Sequence, residues 1–189
     1  MTNPSSLHAQ TRLPVIGAPM FLVSGPELVI AQCAAGIVGT FPSLNARPQE
    51  QLHAWISRIE DGLAARRRAD PSARVAPYGV NLIVHPSNAR WEGDLAICAE
   101  RRVPLVITSL HPPEAVVRAM HAHGGLVFHD VTTVRHAKRA LAAGVDGLIL
   151  PDLLRPLLSE GRLTPTAYGL WAPRFSAGRP RRRRHPARH

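Results

Sequence analysis

Four short apolar runs in this chain carry, or close on, side chains that can hold a ligand. Tyr78-Gly-Val-Asn-Leu-Ile-Val84 contains the amide of Asn81, and Val103-Pro-Leu-Val-Ile-Thr108 ends on a hydroxyl with Ser109 next to it. Gly125-Leu-Val-Phe-His-Asp-Val131 sets His129 beside Asp130, and Leu13-Pro-Val-Ile-Gly-Ala18 runs into Pro19 and Met20. Amides and hydroxyls around an apolar face suit the carbonyls and ring nitrogens of a planar heterocycle. A histidine next to a carboxylate can polarise a substrate or hold an oxygen. The competing reading of His129 is a satisfied structural histidine, and that of Met20 is core packing. Asn81 between apolar neighbours needs partners for its amide, which favours a ligand role over a local turn contact.

The remaining reactive side chains point to little. His85, His111, His121 and His123 fall in loops or on solvent-facing helical positions and are assigned no chemistry. Cys33 lies on an apolar helix face as a small core residue. With only Cys33 and Cys98 there is no metal pair and no disulfide framework, so a reducing cytoplasm is expected and no metal site. No apolar run approaches the length of a membrane span, and the polar residues 1–12 lack the apolar centre of a signal peptide.

The elements that must position these residues follow a repeat. Apolar runs of four to six residues are too short for helices and suit strands buried on both faces. They predict strands at 13–18, 37–41, 78–84, 103–108, 125–130 and 145–150. Amphipathic helices fall between them. Ser24-Gly-Pro-Glu27 reads as a capping box opening a helix that Gly36 stops. Leu52, Trp55, Ile56, Ile59 and Leu63 line one face of a helix over 48–68, and further helices are expected over 90–101 and 113–123. Thr132 or Thr133 caps the last helix and Gly144 ends it. Strands in this order, joined by helical crossovers, argue for an α/β fold with a parallel sheet. No Gly-x-Gly-x-x-Gly follows the first strand, so the open dinucleotide-binding sheet loses its best signal. What remains is an incomplete TIM (β/α)8-type barrel of about six parallel strands.

Composition divides the chain at Leu150. Residues 1–150 hold 14 Lys+Arg against 11 Asp+Glu, a balance of +3, whereas residues 151–189 hold 9 Arg against 2 acids, a balance of +7. The expected organisation is a flexible N-terminus over 1–12, a partial barrel over 13–150 and a Pro/Arg-rich tail over 151–189. The tail reads as a polyanion-binding segment, as a solvated extension, or as the product of a lost reading frame. The last of these is preferred, because Arg/Pro/His-rich ends are what out-of-frame GC-rich coding sequence gives. Nucleic acid is therefore not an expected partner, and disorder is expected past Arg174.

The ordered motifs Leu13-Pro-Val-Ile-x-Ala-Pro-Met20, Ser24-x-Pro-Glu-Leu28, Ala35-Gly-Ile-Val-Gly-Thr40, Gly79-Val-Asn-Leu82, Pro104-Leu-Val-Ile-Thr-Ser109 and Val127-Phe-His-Asp-Val131 with Ala143-Gly-Val-Asp-Gly147 resemble the nitronate monooxygenases, formerly called 2-nitropropane dioxygenases. The resemblance covers residues 12–150. It implies an FMN-dependent TIM barrel that oxidises alkyl nitronates with O2 to a carbonyl compound and nitrite. The implied cofactor contacts are Ala18, Pro19, Met20, Asn81, Ser109 and His129. Where the family continues with a Gly-Gly-His segment, its catalytic candidate, this chain has Pro151-Asp-Leu-Leu-Arg-Pro156. No catalytic residue is therefore assigned, His129 being the one candidate, and little or no activity is expected of this polypeptide. The alternatives are another FMN barrel of the flavin-dependent enoyl-acyl-carrier reductase group, or a non-catalytic fragment with a polyanion-binding tail.

Overall fold

The computed structural model describes residues 4–111, 113–150 and 171–173. Five strands run parallel in chain order: β1 Gly39–Pro42, β2 Tyr78–Val84, β3 Leu105–Leu110, β4 Leu126–Asp130 and β5 Gly147–Ile149. Between them lie α3 Gln51–Ala69, α4 Trp91–Glu100, α5 Glu114–His121 and α6 Val134–Ala143, with α1 Pro4–Gln10 and α2 Pro26–Ala34 preceding β1. Each helix turns the chain back to start the next strand alongside the last, as parallel pairing demands.

Local chemistry sets most of the boundaries. In α6 the Thr133 hydroxyl accepts the His136 N–H, and Gly144 closes the helix at φ 92°, where any side chain would be strained. α3 buries Leu52, Ile56, Ile59 and Leu63 at helical spacing and turns three arginines out in its last turn. The capping box at α2 does not form. Gly25 is the N-cap, with Pro26 in the first turn, and no side chain caps the helix. Ser24 is committed elsewhere, as described below.

Two apolar layers result. The larger lies between sheet and helices, where Phe41, Val80, Leu82, Val106 and Val127 meet Val29, Ile56, Ile59, Cys98, Val117 and Met120. The smaller lies on the opposite sheet face: Val38, Leu105, Ile107, Leu126 and Phe128, with Leu7 of α1 packed among them. Strand residues alternate between these layers, so each strand is buried on both sides. A short helix with a buried Leu7 thus stands where the sequence reading places a flexible N-terminus.

The ends of the sheet depart from the expected pattern. The predicted strand at 13–18 reduces to one parallel bridge, Ile16 to Val38, because Pro14 has no N–H to offer a ladder and Leu13 and Val15 stand exposed. At the other edge β6, Trp171–Pro173, pairs antiparallel with β5 in a region assigned no strand. It covers N–H and C=O groups that an open edge would leave unpaired. The disorder expected past Arg174 concerns residues outside those described.

Candidate functional site

Parallel strands bring their C-terminal ends to one edge, and the alternation of side chains decides what faces inward there. Leu105 and Ile107 of β3, and Leu126 and Phe128 of β4, point to the inner face, so Ser109 and Asp130 two residues further do too. Asn81 lies between Val80 and Leu82, both in the helix-side core, and faces inward as well. Ser109 pairs in register with Asp130 and with Ile83, while Asn81 sits level with Pro42 and Ile107. On the inner face Ser109 and Asp130 follow the apolar Leu105, Ile107, Leu126 and Phe128, with Ile83 and Ile149 level with them on the neighbouring strands. Asn81 stands mid-strand rather than at a strand end. Its Nδ2 donates to the Ile107 carbonyl at 3.2 Å, leaving Oδ1 without a partner among the described residues.

Ala18, Pro19 and Met20 form the loop after the first bridge, and two side chains hold that loop in shape. The Ser24 hydroxyl accepts the Met20 N–H at 3.0 Å and reaches the Ala18 carbonyl at 3.4 Å. Asn45, in the 3-10 turn Ser43–Asn45 after β1, uses its whole amide on the same loop. Nδ2 donates to the carbonyls of Met20 (3.0 Å) and Ser24 (2.9 Å), and Oδ1 accepts the Leu22 N–H at 3.1 Å. Leu22 is held at φ 62°, a conformation a branched side chain avoids unless its surroundings impose it. The Thr40 hydroxyl adds a bond to the Gly17 carbonyl. Among the described residues the Ala18 N–H and the Pro19 carbonyl have no partner. Met20 is 41% exposed and is not a core residue.

Asn45 has no role in the sequence reading. An asparagine in a strand-to-helix loop is ordinary turn chemistry, and no spacing announces a clamp on residues more than twenty positions back. Asn45→Ala removes three hydrogen bonds from a half-exposed loop, each worth about 0.5–1.5 kcal/mol. We expect cleavage at 18–24 by a dilute protease to accelerate by roughly tenfold or more, with a far smaller change in global melting.

His129 lies on the other side of the sheet. It follows Val127 on the helix-facing surface, is 2% exposed, bonds Thr108 Oγ1 at 2.7 Å and meets the His136 ring of α6 edge-on at 6.4 Å. A wall of sheet separates it from Asn81 and Ser109, so the structure does not bring it to the inner face with them. The physical reason is the pleat: one residue along a strand reverses the face. Burial, reinforced by His136, lowers its pKa from 6.5 to about 4, so the ring is neutral at pH 7. Between about pH 6.5 and pH 4 the unfolded chain then binds a proton that the folded chain refuses, and stability is lost as pH falls through that window. The loss amounts to about 3 kcal/mol at most. Denaturant melts from pH 7 to 4 are expected to show this slope, and His129→Leu should flatten it.

Cys33 is buried, its thiol pushed up to about 11 by burial, and it bonds the Pro77 carbonyl: a structural residue. Among the described residues no cluster of three or more His, Cys, Asp or Glu can hold a metal ion, and no helix is long and apolar enough to cross a membrane.

Solved structures share this fold. FabK from Thermotoga maritima superimposes with a TM-score of 0.62 at 25% identity, over 75% of this chain and 41% of that one. Nitroalkane oxidase from Streptomyces ansochromogenes gives 0.62 at 22% identity, over 77% of this chain and 48% of that one. The fold is a partial TIM-type barrel. Within it, Ser109 and Asp130 line the barrel's inner wall at the C-terminal ends of their strands, where barrel sites form, Asn81 lies mid-strand on the same face, and His129 belongs to the outer packing layer. Among curated sequences, (3aS,4S,5R,7aS)-5-hydroxy-7a-methyl-1-oxo-octahydro-1H-indene-4-carboxyl-CoA dehydrogenase from Rhodococcus jostii (strain RHA1) is 27% identical over 137 residues, which is 72% of this chain and 35% of that protein. No protein-family model matches the chain. The barrel described here spans less than half the length of each of these relatives.

Proposed function

We propose that residues 13–150 build the ring side of the site of an FMN-dependent oxidoreductase of the nitronate monooxygenase type, acting on an alkyl nitronate with O2. The observation that carries this is the pairing of a fixed loop with a polar inner wall. Among the described residues loop 18–20 has one N–H and one carbonyl without partners, and Asn81 Oδ1 and Ser109 stand on the inner wall among apolar neighbours. That donor set fits the edge and face of a flavin. The described residues do not supply its phosphate with a cradle: none of those in the loops directly after β2, β3 or β4 is a glycine that would let backbone N–H groups converge on it. A bound flavin would take up an electron pair from the substrate and pass it to O2; this chain's residues orient the ring and exclude water beneath it. The motifs over 12–150 support the nitronate reading. The likeness to a protein named nitroalkane oxidase shows the fold, and the named dehydrogenase supports oxidoreductase chemistry in general.

The second reading, a flavin-dependent enoyl-acyl-carrier reductase, is favoured by the FabK match at equal TM-score. One experiment separates the two. The coding DNA past codon 150 is read in all frames, and the frame bearing a Gly-Gly-His segment with two further βα units is expressed joined to residues 1–150. A yellow protein that consumes O2 with a preformed alkyl nitronate is expected, with Asn81→Leu weakening FMN binding about tenfold. Oxidation of a reduced nicotinamide by an enoyl thioester, without nitronate turnover, would move the assignment to the reductase. Absence of any such frame would leave the nitronate reading without support.

A further inference from the structure

We propose that the cleft between the β2–α4 and β3–α5 loops binds a small organic monocarboxylate with an apolar, ring-sized body. This cleft of about 410 Å³ lies on the outer side of the barrel rim, apart from the inner wall, so the proposal does not depend on the flavin reading. Its volume falls within the range of small-molecule pockets. The residues that line it lie among those described.

The floor is apolar: Val84 at the end of β2 and Val116 of α5, with the half-buried Trp91 of α4 as one wall. Two histidines stand over it, each the residue next after a strand. The His111 N–H reaches the Val84 carbonyl at 3.3 Å, and Leu110 before it takes φ 76°, a left-handed turn costly for leucine. That turn brings the rings of His85 and His111 to 5.1 Å between centroids. The Leu110 side chain itself is 50% exposed.

The hydrogen bonding of His85 decides what the pair can hold. The Ser87 N–H, which can only donate, points at His85 Nδ1 at 3.1 Å, and Ser87 Oγ lies 2.7 Å from the same nitrogen. Nδ1 therefore accepts, and the ring proton sits on Nε2. A metal ion would need a lone pair at Nε2 while Nδ1 stays an acceptor, which a neutral imidazole cannot supply. His85 is instead a fixed donor. Arg118, on the same cleft, makes no ion pair among the described residues. An N–H and a guanidinium above an apolar floor match a carboxylate attached to a flat apolar group. Glu114, one turn before Arg118 at the cleft mouth, adds a negative charge that disfavours a dianion such as phosphate.

The test titrates the full chain, without flavin, with benzoate, acetate, inorganic phosphate and Zn²⁺, following the Trp91 indole and the His85 and His111 ring resonances by NMR. Benzoate is expected to shift all three saturably and acetate only weakly. Phosphate should do no more than chloride, except in Glu114→Gln, where it gains access. Arg118→Met and His85→Phe should each weaken benzoate by about tenfold or more. Arg118 is exposed, so its variant keeps the test alive if His85→Phe perturbs the loop. Benzoate shifts that survive Arg118→Met unchanged would overturn the proposal. So would silence toward benzoate, alone or together with Zn²⁺ shifting both histidines.

Discussion

Chain 1–189 titrated with FMN is expected to show no saturable fluorescence quenching in the micromolar range, and no O2 consumption with a preformed alkyl nitronate. In the proposed site, loop 18–20, Asn81 and Ser109 would contact only the ring of such a ligand, through a few neutral hydrogen bonds worth about 0.5–1.5 kcal/mol each. The phosphate carries close to two negative charges and is held in barrels by convergent N–H groups at loop and helix starts. Past Leu150 the sequence offers Pro151, Pro156 and many arginines in place of a glycine-rich turn. Arginine attracts phosphate, but charge without fixed donors sets no geometry and leaves ordering entropy to be overcome. On the nitronate reading, a chain without a Gly-Gly-His segment would also lack a proton acceptor, a contribution of about 10²–10⁴ in rate. Micromolar or tighter FMN binding with turnover would show that residues past 150 complete the site.

Phe128→Ala is expected to lower stability by about 3–5 kcal/mol, the range for emptying a buried aromatic position. Phe128 is fully buried in the inner cluster, in register with Ile107 of β3, and Leu7 of α1 belongs to the same cluster. That cluster is small, and its neighbours come from four separate elements that cannot all move in to fill a void. For a chain of this size the loss corresponds to a fall in melting temperature of roughly 6–20 °C. Calorimetry measures it directly. A shift under about 2 °C would mean that the inner layer is loosely packed and that only the helix-side core holds the barrel together. Val127→Ala, on the other face, is the control for that core.

Much of the architecture was legible because its signals are local. Short apolar runs at Tyr78–Val84 and Leu126–Asp130 marked strands, Leu52, Ile56, Ile59 and Leu63 marked one helix face, and Thr133 and Gly144 marked the ends of another. Chain order then implied parallel pairing, since each crossover was a helix. Motif order was enough to suggest a barrel and to single out Asn81 and the loop 18–20. Tertiary structure decided what depends on neighbours far along the chain. Ser24 reads as a capping box, yet the helix takes Gly25 as its N-cap and the Ser24 hydroxyl serves the loop before it, meeting the Met20 N–H and the Ala18 carbonyl. Asn45 became the clamp of that loop only when β1 brought it alongside. His129 and Asp130 are neighbours in sequence and occupy opposite faces of one strand. The pleat that puts Asp130 inside puts His129 among helices, where burial keeps it neutral. Which polar residue faces a ligand was thus a question of register, and register is settled by the packing of both faces at once.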